Sequence, residues 1–386
     1  MSVFDIMDIK NQNIRVIVDA IRFEEGLTKR DIAARTNLSF ATVSNLCNEL
    51  IERNVFCMTK QDIISAGRTP NCISLQYQLY STICLNLQMK DVMGLAILNI
   101  RNEVIFMNKY DISGIETPRE VILLAKEMFE KNFLPNADPM AIYIGIGVAV
   151  SAIYDIEDRY LVNCAIDMYT GVPLKDLVEE AFKLPAYIDN EANLCAQSVK
   201  SGKENSKNIV YLHISEGVGV GIVSQGNLVR GFHGYGGEVA HVPVGDMEKE
   251  CPVCHNYGCV ENDLSVPAVV NTYFGLNYEN TLGKWKQYIN DIQNGNLKAI
   301  QLAKKNSFYL GNLASILINI FDPEILYIGG DISSLYHIME QNILDTIRKR
   351  CQLISSEKLR IVCDCLSETT INIGISESIY SKWNIL

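Results

Sequence analysis

The run GGEVAHVPVGDMEKECPVCHNYGCVE, from Gly236 to Glu261, brings three cysteines and two histidines together between the carboxylates Glu238 and Glu261. Cys251, Cys254 and Cys259 are near enough in sequence to meet on one tetrahedral ion. His241, ten residues upstream of Cys251, offers the nitrogen that zinc commonly takes as a fourth ligand. His255 competes for that place. Scattered cysteines and histidines are more often reduced core thiols and unrelated rings, but the C-x-x-C-x4-C spacing favours zinc. Four protein ligands leave the ion no open position, so the expected Zn2+ is structural, a staple for the wall that carries Glu238, His241 and Glu261.

The chain has 386 residues, 48% of them hydrophobic and 20% charged, the balance of a globular protein of two or three domains. No apolar run approaches the roughly 20 residues that span a bilayer, and the start MSVFDIMDIK lacks the basic and apolar regions of a signal peptide. A cytoplasmic location with no membrane partner is therefore expected. Twelve cysteines spread along the chain fit a reducing compartment. The net charge of −11 falls wholly outside residues 1–75, which hold nine basic and nine acidic side chains. A neutral module on an acidic body can still approach phosphate, because the body turns away while local Lys and Arg make contact.

That module reads as helices. Ile14, Ile17, Val18 and Ile21 recur at helical spacing, and Gly26 ends the pattern. Thr28 is placed to cap a second helix, Lys29 to Arg35, with Ile32 and Ala33 inward; Thr36-Asn37-Leu38 makes a turn; Ser39 caps a third helix to about Ile51. On that helix Val43, Leu46, Cys47 and Leu50 share the core face and leave Phe40, Ala41, Thr42, Ser44, Asn45 and Asn48 outward. Such a small, amide-rich face suits reading of the major groove of double-stranded DNA. Phosphate contacts then fall to Lys29, Arg30 and Arg35. Val55–Met58 and Asp62–Ser65 read as two strands before Gly67-Arg68-Thr69-Pro70, a wing whose Arg68 could enter a minor groove. A small helical dimerisation module is the alternative reading.

Beyond about Ser74 strands alternate with helices, an α/β pattern that occurs twice. Three strand-like runs, a helix from Thr117 to Lys131 and the apolar strand Ala141–Val150 make the first half. Asn208–Ser215, Gly219–Ser224 and Asn227–Arg230 open the second, which ends in the buried strand Pro323–Ile328 and Gly329-Gly330, with the segment from Ile332 closing that lobe. Two similar lobes with a ligand cleft between them follow. The expected units are 1–73, 74–198 and 199–386.

Three stretches, GVGVGIVSQGNLVRGFHGYGGEVAHVPV (217–244), the cysteine segment ending GCVE, and IDNEANLCA (188–196), resemble the ROK family of repressors and sugar kinases. With the N-terminal module, the whole chain resembles its repressor branch. The resemblance implies a winged helix-turn-helix followed by a two-lobed actin-like, hexokinase-like domain. It places sugar contacts on Asn190, Glu191, Glu238, His241 and Glu261. It also sets the kinase positions. The first phosphate loop reads Asn86-Leu87-Gln88-Met89-Lys90, without Asp or Gly; the second reads Ser215-Glu216-Gly217; and Glu191 stands where kinases carry the catalytic Asp. No catalytic residue is therefore expected, and a sugar-responsive repressor is favoured over an ATP-dependent sugar kinase. The family usually spaces its first two cysteines C-x-C before Gly, where this chain has one residue more and His255. A homodimer or dimer of dimers on a near-palindromic operator completes the expectation. Residues 151–175, with Asp167 as a candidate contact, are expected to contribute selectivity, and His213, His233 and His337 to be surface or structural.

Overall fold

Ile14, Ile17, Val18 and Ile21 form the buried stripe of helix α1 (Ile6–Ile21). The computed structural model describes residues 6–60, 71–201, 206–275, 281–351, 358–364 and 368–385. Thr28 and Asp31 make a capping box at the start of α2 (Lys29–Thr36), Asn37 turns the chain in the left-handed region, and Ser39 caps α3 (Phe40–Glu52). Val43, Leu46, Cys47 and Leu50 are buried as expected. Strand β1 (Phe56–Lys60) pairs antiparallel with β2 (Asn71–Leu75). The expected strand Asp62–Ser65 and Arg68 lie outside the described residues. Strand β2 also runs across the expected 73/74 boundary, because its pairing to β1 and the Leu27–Ile73 bridge hold it to the helices.

The body contains two five-stranded sheets of identical order. In the first, β5 (Val104–Asp111), β4 (Val92–Asn99), β3 (Tyr80–Met89), β6 (Ile142–Ala149) and β9 (Ala186–Asp189) lie side by side. In the second the order is β12 (Asn227–Leu228), β11 (Val218–Ser224), β10 (Ile209–Ile214), β13 (Ile325–Gly329) and β14 (Arg360–Asp364). Each is a meander of three antiparallel strands extended by two parallel ones, which is the expected duplication realised in hydrogen bonds. The pair β7 (Ile153–Tyr154) and β8 (Leu161–Val162) stands apart.

Strand alternation divides the interior. Ile83, Leu85 and Leu87 of β3 face the core under α4 (Pro118–Met128) and α5 (Leu174–Phe182). Val210, Leu212 and Ile214 of β10 face that under α7 (Glu261–Leu264), α8 (Val266–Phe274), α9 (Thr281–Gln293), α10 (Leu297–Phe321) and α11 (Tyr336–Arg350). The opposite faces, through Cys84 and Tyr211, meet a central core built on α6 (Glu191–Lys200) and α12 (Glu368–Lys382), which pack on each other between the sheets. That core continues without a break into the N-terminal helices.

The last helix corrects an expectation. Instead of closing the second lobe, α12 packs on β3 and β6 of the first. A Cβ at Gly147 would stand 2.3 Å from Ile375 Cγ2, so the IGIGVA strand has a notch cut for this helix. Likewise α6 runs across the expected 198/199 boundary and packs on β10 and β11. Two helices thus cross over to join the lobes.

Candidate functional site

The cleft between the lobes is built from the ends of these elements. It encloses about 310 Å3 and is lined by all five expected sugar contacts: Asn190, Glu191, Glu238, His241 and Glu261. That volume falls at the lower end of the range of roughly 300–1,000 Å3 usual for small-molecule clefts. Asn190 caps α6, its side-chain oxygen accepting from the Asn193 N–H at 2.9 Å, and this fixes the turn that aims Glu191.

Glu191 accepts from Ser151 Oγ at 3.0 Å and lies 2.9 Å from His213 Nε2. Burial alone would raise its carboxyl pKa, but the hydrogen bond and charge of His213, with Ser151, outweigh burial and hold it below its ordinary value. His213 is 6% exposed, lines the cleft and has a buried Nδ1 without a partner among the described residues. It is therefore a site residue that the sequence reading assigned to surface or structure. The strand IVYLHI reads as an apolar run buried along its whole length, so no local signal marks residue 213 as facing the cleft.

Glu261, at the start of α7, accepts from the Val218 N–H at 3.0 Å and so ties the cysteine segment to the head of β11. Glu238 is raised above its ordinary carboxylate range, first by burial and then by the negative Glu261. Its place is set by Gly237. With φ at +93° and room for a Cβ only 1.9 Å from the Val220 carbonyl oxygen, no other residue fits there. Asp167, offered as a selectivity contact, is exposed and outside the cleft wall, where Asn163 and Cys164 stand instead. His233 is exposed and pairs with Glu157 at 3.1 Å, and His337 is exposed.

The ligand atoms of His241, Cys251, Cys254 and Cys259 all lie within 4.8 Å of one another. Cys251 Sγ is 3.6 Å from His241 Nδ1, and Cys254 Sγ is 3.4 Å from Cys259 Sγ. Ligands of one tetrahedral zinc, with bonds near 2.0–2.3 Å, sit about 3.5–3.8 Å apart, so the donor set fits the ion in number, type and spacing. Left to themselves the thiols share protons unevenly. Hydrogen bonding from the Asn256 backbone leads in bringing Cys254 down to about 7, while burial and then the neighbouring sulfurs push Cys259 up to about 12. A cation would let all three be thiolates. His255, at a positive φ of 58°, turns outward toward Glu250 at 3.4 Å and is not part of the cluster. Backbone bonds from Val260 to Val242 and from Glu261 to Ala240 carry the cluster's position into the cleft wall.

The outward face of α3 is the second candidate surface. Phe40, Ala41, Asn45 and Asn48 are exposed there, and Thr42 and Ser44 are half-buried. Lys29 of α2 reaches across to Asn48 Oδ1 at 2.6 Å and Ser44 Oγ at 3.3 Å, which presents a cation at the edge of the helix. Arg35 is paired with Glu24 at 2.5 Å, both exposed.

A helix-turn-helix joined to two actin-like lobes that enclose a polar cleft defines a sensor or kinase scaffold with an added N-terminal module. The ROK family model matches residues 109–367, and the chain belongs to the ROK family. It is 26% identical to the xylose repressor of Caldicellulosiruptor bescii over 95% of this chain and 94% of that one. Its fold matches a crystal structure of an ROK family transcriptional regulator, a homolog of the E. coli MLC protein, with a TM-score of 0.83 over 98% of each chain and 22% identity. The ROK hexokinase of Thermus thermophilus matches with a TM-score of 0.66 and 20% identity. There 98% of the hexokinase covers 78% of this chain, whereas the regulator covers nearly all of it. Among the described residues no helix is long and apolar enough to cross a membrane.

Proposed function

We propose that the protein is a sugar-responsive transcriptional repressor in which a sugar bound between the lobes changes how two N-terminal winged helix-turn-helix modules of a dimer meet a near-palindromic operator. The observation that carries this reading is the meeting of Asn190, Glu191, Glu238, His241 and Glu261 in one cleft, in a chain that also bears the exposed face of α3. Hydroxyls need paired donors and acceptors whether or not chemistry follows, and these residues supply both. The full-length likeness to a xylose repressor supports the same class.

Phosphotransfer is disfavoured by the chemistry of the kinase positions. Asn86–Lys90 has neither the Asp that would hold magnesium nor a Gly that would let backbone approach phosphate, and Asn86 is occupied in accepting from the Gln88 N–H. Glu216 lines the cleft where a triphosphate would have to lie. A coupled assay for ADP release over a panel of sugars is expected to stay at background. Turnover above it would overturn the non-enzymatic reading.

Selection of DNA sites by the purified protein, followed by titration of xylose and other aldoses against the complex, tests the repressor itself. Sequence-specific binding that a sugar alters is the expected result, and its absence at moderate salt would refute the proposal. Asn45→Ala is expected to cost about 1–3 kcal/mol of specific binding and to relax sequence preference, since an exposed amide on this face of α3 would read a base edge. Lys29→Ala should instead weaken all sequences alike and reduce the salt dependence by about one ion.

Zinc held by His241, Cys251, Cys254 and Cys259 would stabilise the wall of the cleft by fixing four side chains from one loop, and it would supply no chemistry to substrate. Metal analysis of purified protein is expected to find one zinc per chain, falling well below that in Cys254→Ser, with a lower melting temperature. His255→Ala should keep its metal. Fully folded wild type without metal would sink the assignment.

A further inference from the structure

A second cavity, of about 210 Å3, lies on the far side of the β9–α6 junction from the cleft and shares no wall residue with it. One side is apolar, formed in part by Tyr154, Ile156 and Tyr187. The other carries cations from three parts of the chain: Lys175 on α5, Arg230 beyond β12 and Lys382 at the end of α12, with Arg159 at the rim. Asp189 is the one acidic residue in the wall, and it is fully engaged. It accepts from Arg230 at 2.5 Å, from Asn193 Nδ2 at 2.8 Å and from the Asn190 N–H at 3.0 Å.

The other cations differ in how far they are balanced. Arg159 is held by Asp176 at 2.6 Å outside the wall, and the carboxylate nearest Lys175, on Glu179, is 3.9 Å away. Lys382 has no carboxylate at ion-pair distance among the described residues, and burial, Arg230 and Lys175 together lower its pKa, with Asp189 opposing them. A cavity lined by cations together with apolar and aromatic side chains suits an anion with an organic body.

We propose that this cavity is a second ligand site, for a small organic phosphate whose head lies among Lys175, Arg230 and Lys382 and whose body lies on Tyr154 and Tyr187. The site is wired to the N-terminal module. Ser378, Ser381 and Lys382 of α12 line it, while the opposite side of the same helical turn holds α1: the Tyr380 hydroxyl donates to Asp19 at 2.6 Å, and Arg15 donates to the Trp383 carbonyl at 2.6 Å. Trp383 itself packs on Tyr80 with ring centres 4.9 Å apart. A ligand that draws Lys382 inward therefore pulls on the turn that seats α1. Asp189 in this cavity and Asn190 in the cleft are adjacent residues, so the two sites meet across one peptide bond.

Calorimetry on the full-length protein, with phenyl phosphate, inorganic phosphate and phenol as separate titrants at matched ionic strength, tests this directly. Phenyl phosphate is expected to bind saturably, at least about tenfold tighter than inorganic phosphate, with no saturable heat from phenol. Lys382→Gln and Lys175→Gln should each weaken it about ten- to hundredfold, the loss of one charge-assisted contact. In a Trp285→Phe background, where Trp383 is the one tryptophan left, the same titration should change its fluorescence. Glu191→Gln should leave phenyl phosphate binding intact, which separates this site from the cleft and makes the result independent of whether the cleft takes a sugar. No saturable binding overturns the site; binding unchanged in both lysine variants overturns its location; equal affinity for inorganic phosphate overturns the organic ligand.

Discussion

Glu377→Ala is expected to lower the free energy of unfolding by about 3–5 kcal/mol, read as a fall in the urea midpoint at unchanged slope. The reason is the group it leaves behind. Arg22, at the end of α1, is 3% exposed and spends its guanidinium on Glu377, at 2.7 and 3.1 Å, on the Ile100 carbonyl and on the face of Tyr380, whose ring centre is 3.6 Å away. Asn102 adds a third bond to the same carboxylate at 2.6 Å. Removing Glu377 strands a buried cation between the N-terminal module and the body. An exposed pair such as Arg119–Glu180, both more than half exposed, should cost no more than about 1 kcal/mol when broken. The double variant Arg22→Met, Glu377→Leu provides the control. It removes both charges, keeps the volume, and should return to within about 1–2 kcal/mol of the parent. A single variant that costs less than about 1 kcal/mol would show that the pair is hydrated and the module loosely docked.

Arg22 and Glu377 also mark what the sequence could and could not disclose. Short-range patterns were legible. The stripe Ile14, Ile17, Val18, Ile21, the caps Thr28 and Ser39 and the four core positions of α3 all follow from helical spacing and local hydrogen bonding. The duplicated meander followed from strand runs of similar length in similar order. The cysteine cluster was visible in its spacing, and the geometry then chose His241, because the turn at His255 points that ring away. What was not legible depends on residues distant in sequence. The place of α12 is decided by Gly147 and Ile375, and the Arg22–Glu377 pair spans 355 positions with no periodicity to announce it. His213 is of the same kind. Its strand reads as an apolar run, and only the approach of α6 from the neighbouring lobe shows that one of its inward residues meets Glu191.

That contact carries the second large expected effect. Glu191→Ala should weaken sugar binding about ten- to hundredfold, the worth of a hydrogen bond to an ionised group, and should destabilise the protein as well by leaving His213 buried without its carboxylate. Glu191→Gln separates the two losses, since the amide fills the same space and can still accept from Ser151. The pH dependence follows from the direction of the shift. The folded carboxyl titrates below its ordinary value of 4.5, so its contribution to stability is complete above that value and is lost as pH falls through the lower, folded value. Acid titration of the parent should therefore show a stability step below pH 4.5 that is smaller in Glu191→Gln. His213→Leu gives the complementary result. Without the imidazole, burial, the largest influence, is opposed only by Ser151, so the Glu191 carboxyl should rise above its ordinary value and the step should reverse, stability falling as pH rises through 4.5 instead of falling in acid. A step at the same pH in His213→Leu and parent would show that the imidazole does not hold the carboxylate, and the cleft would then owe the orientation of Glu191 to the Asn190 cap and Ser151 alone.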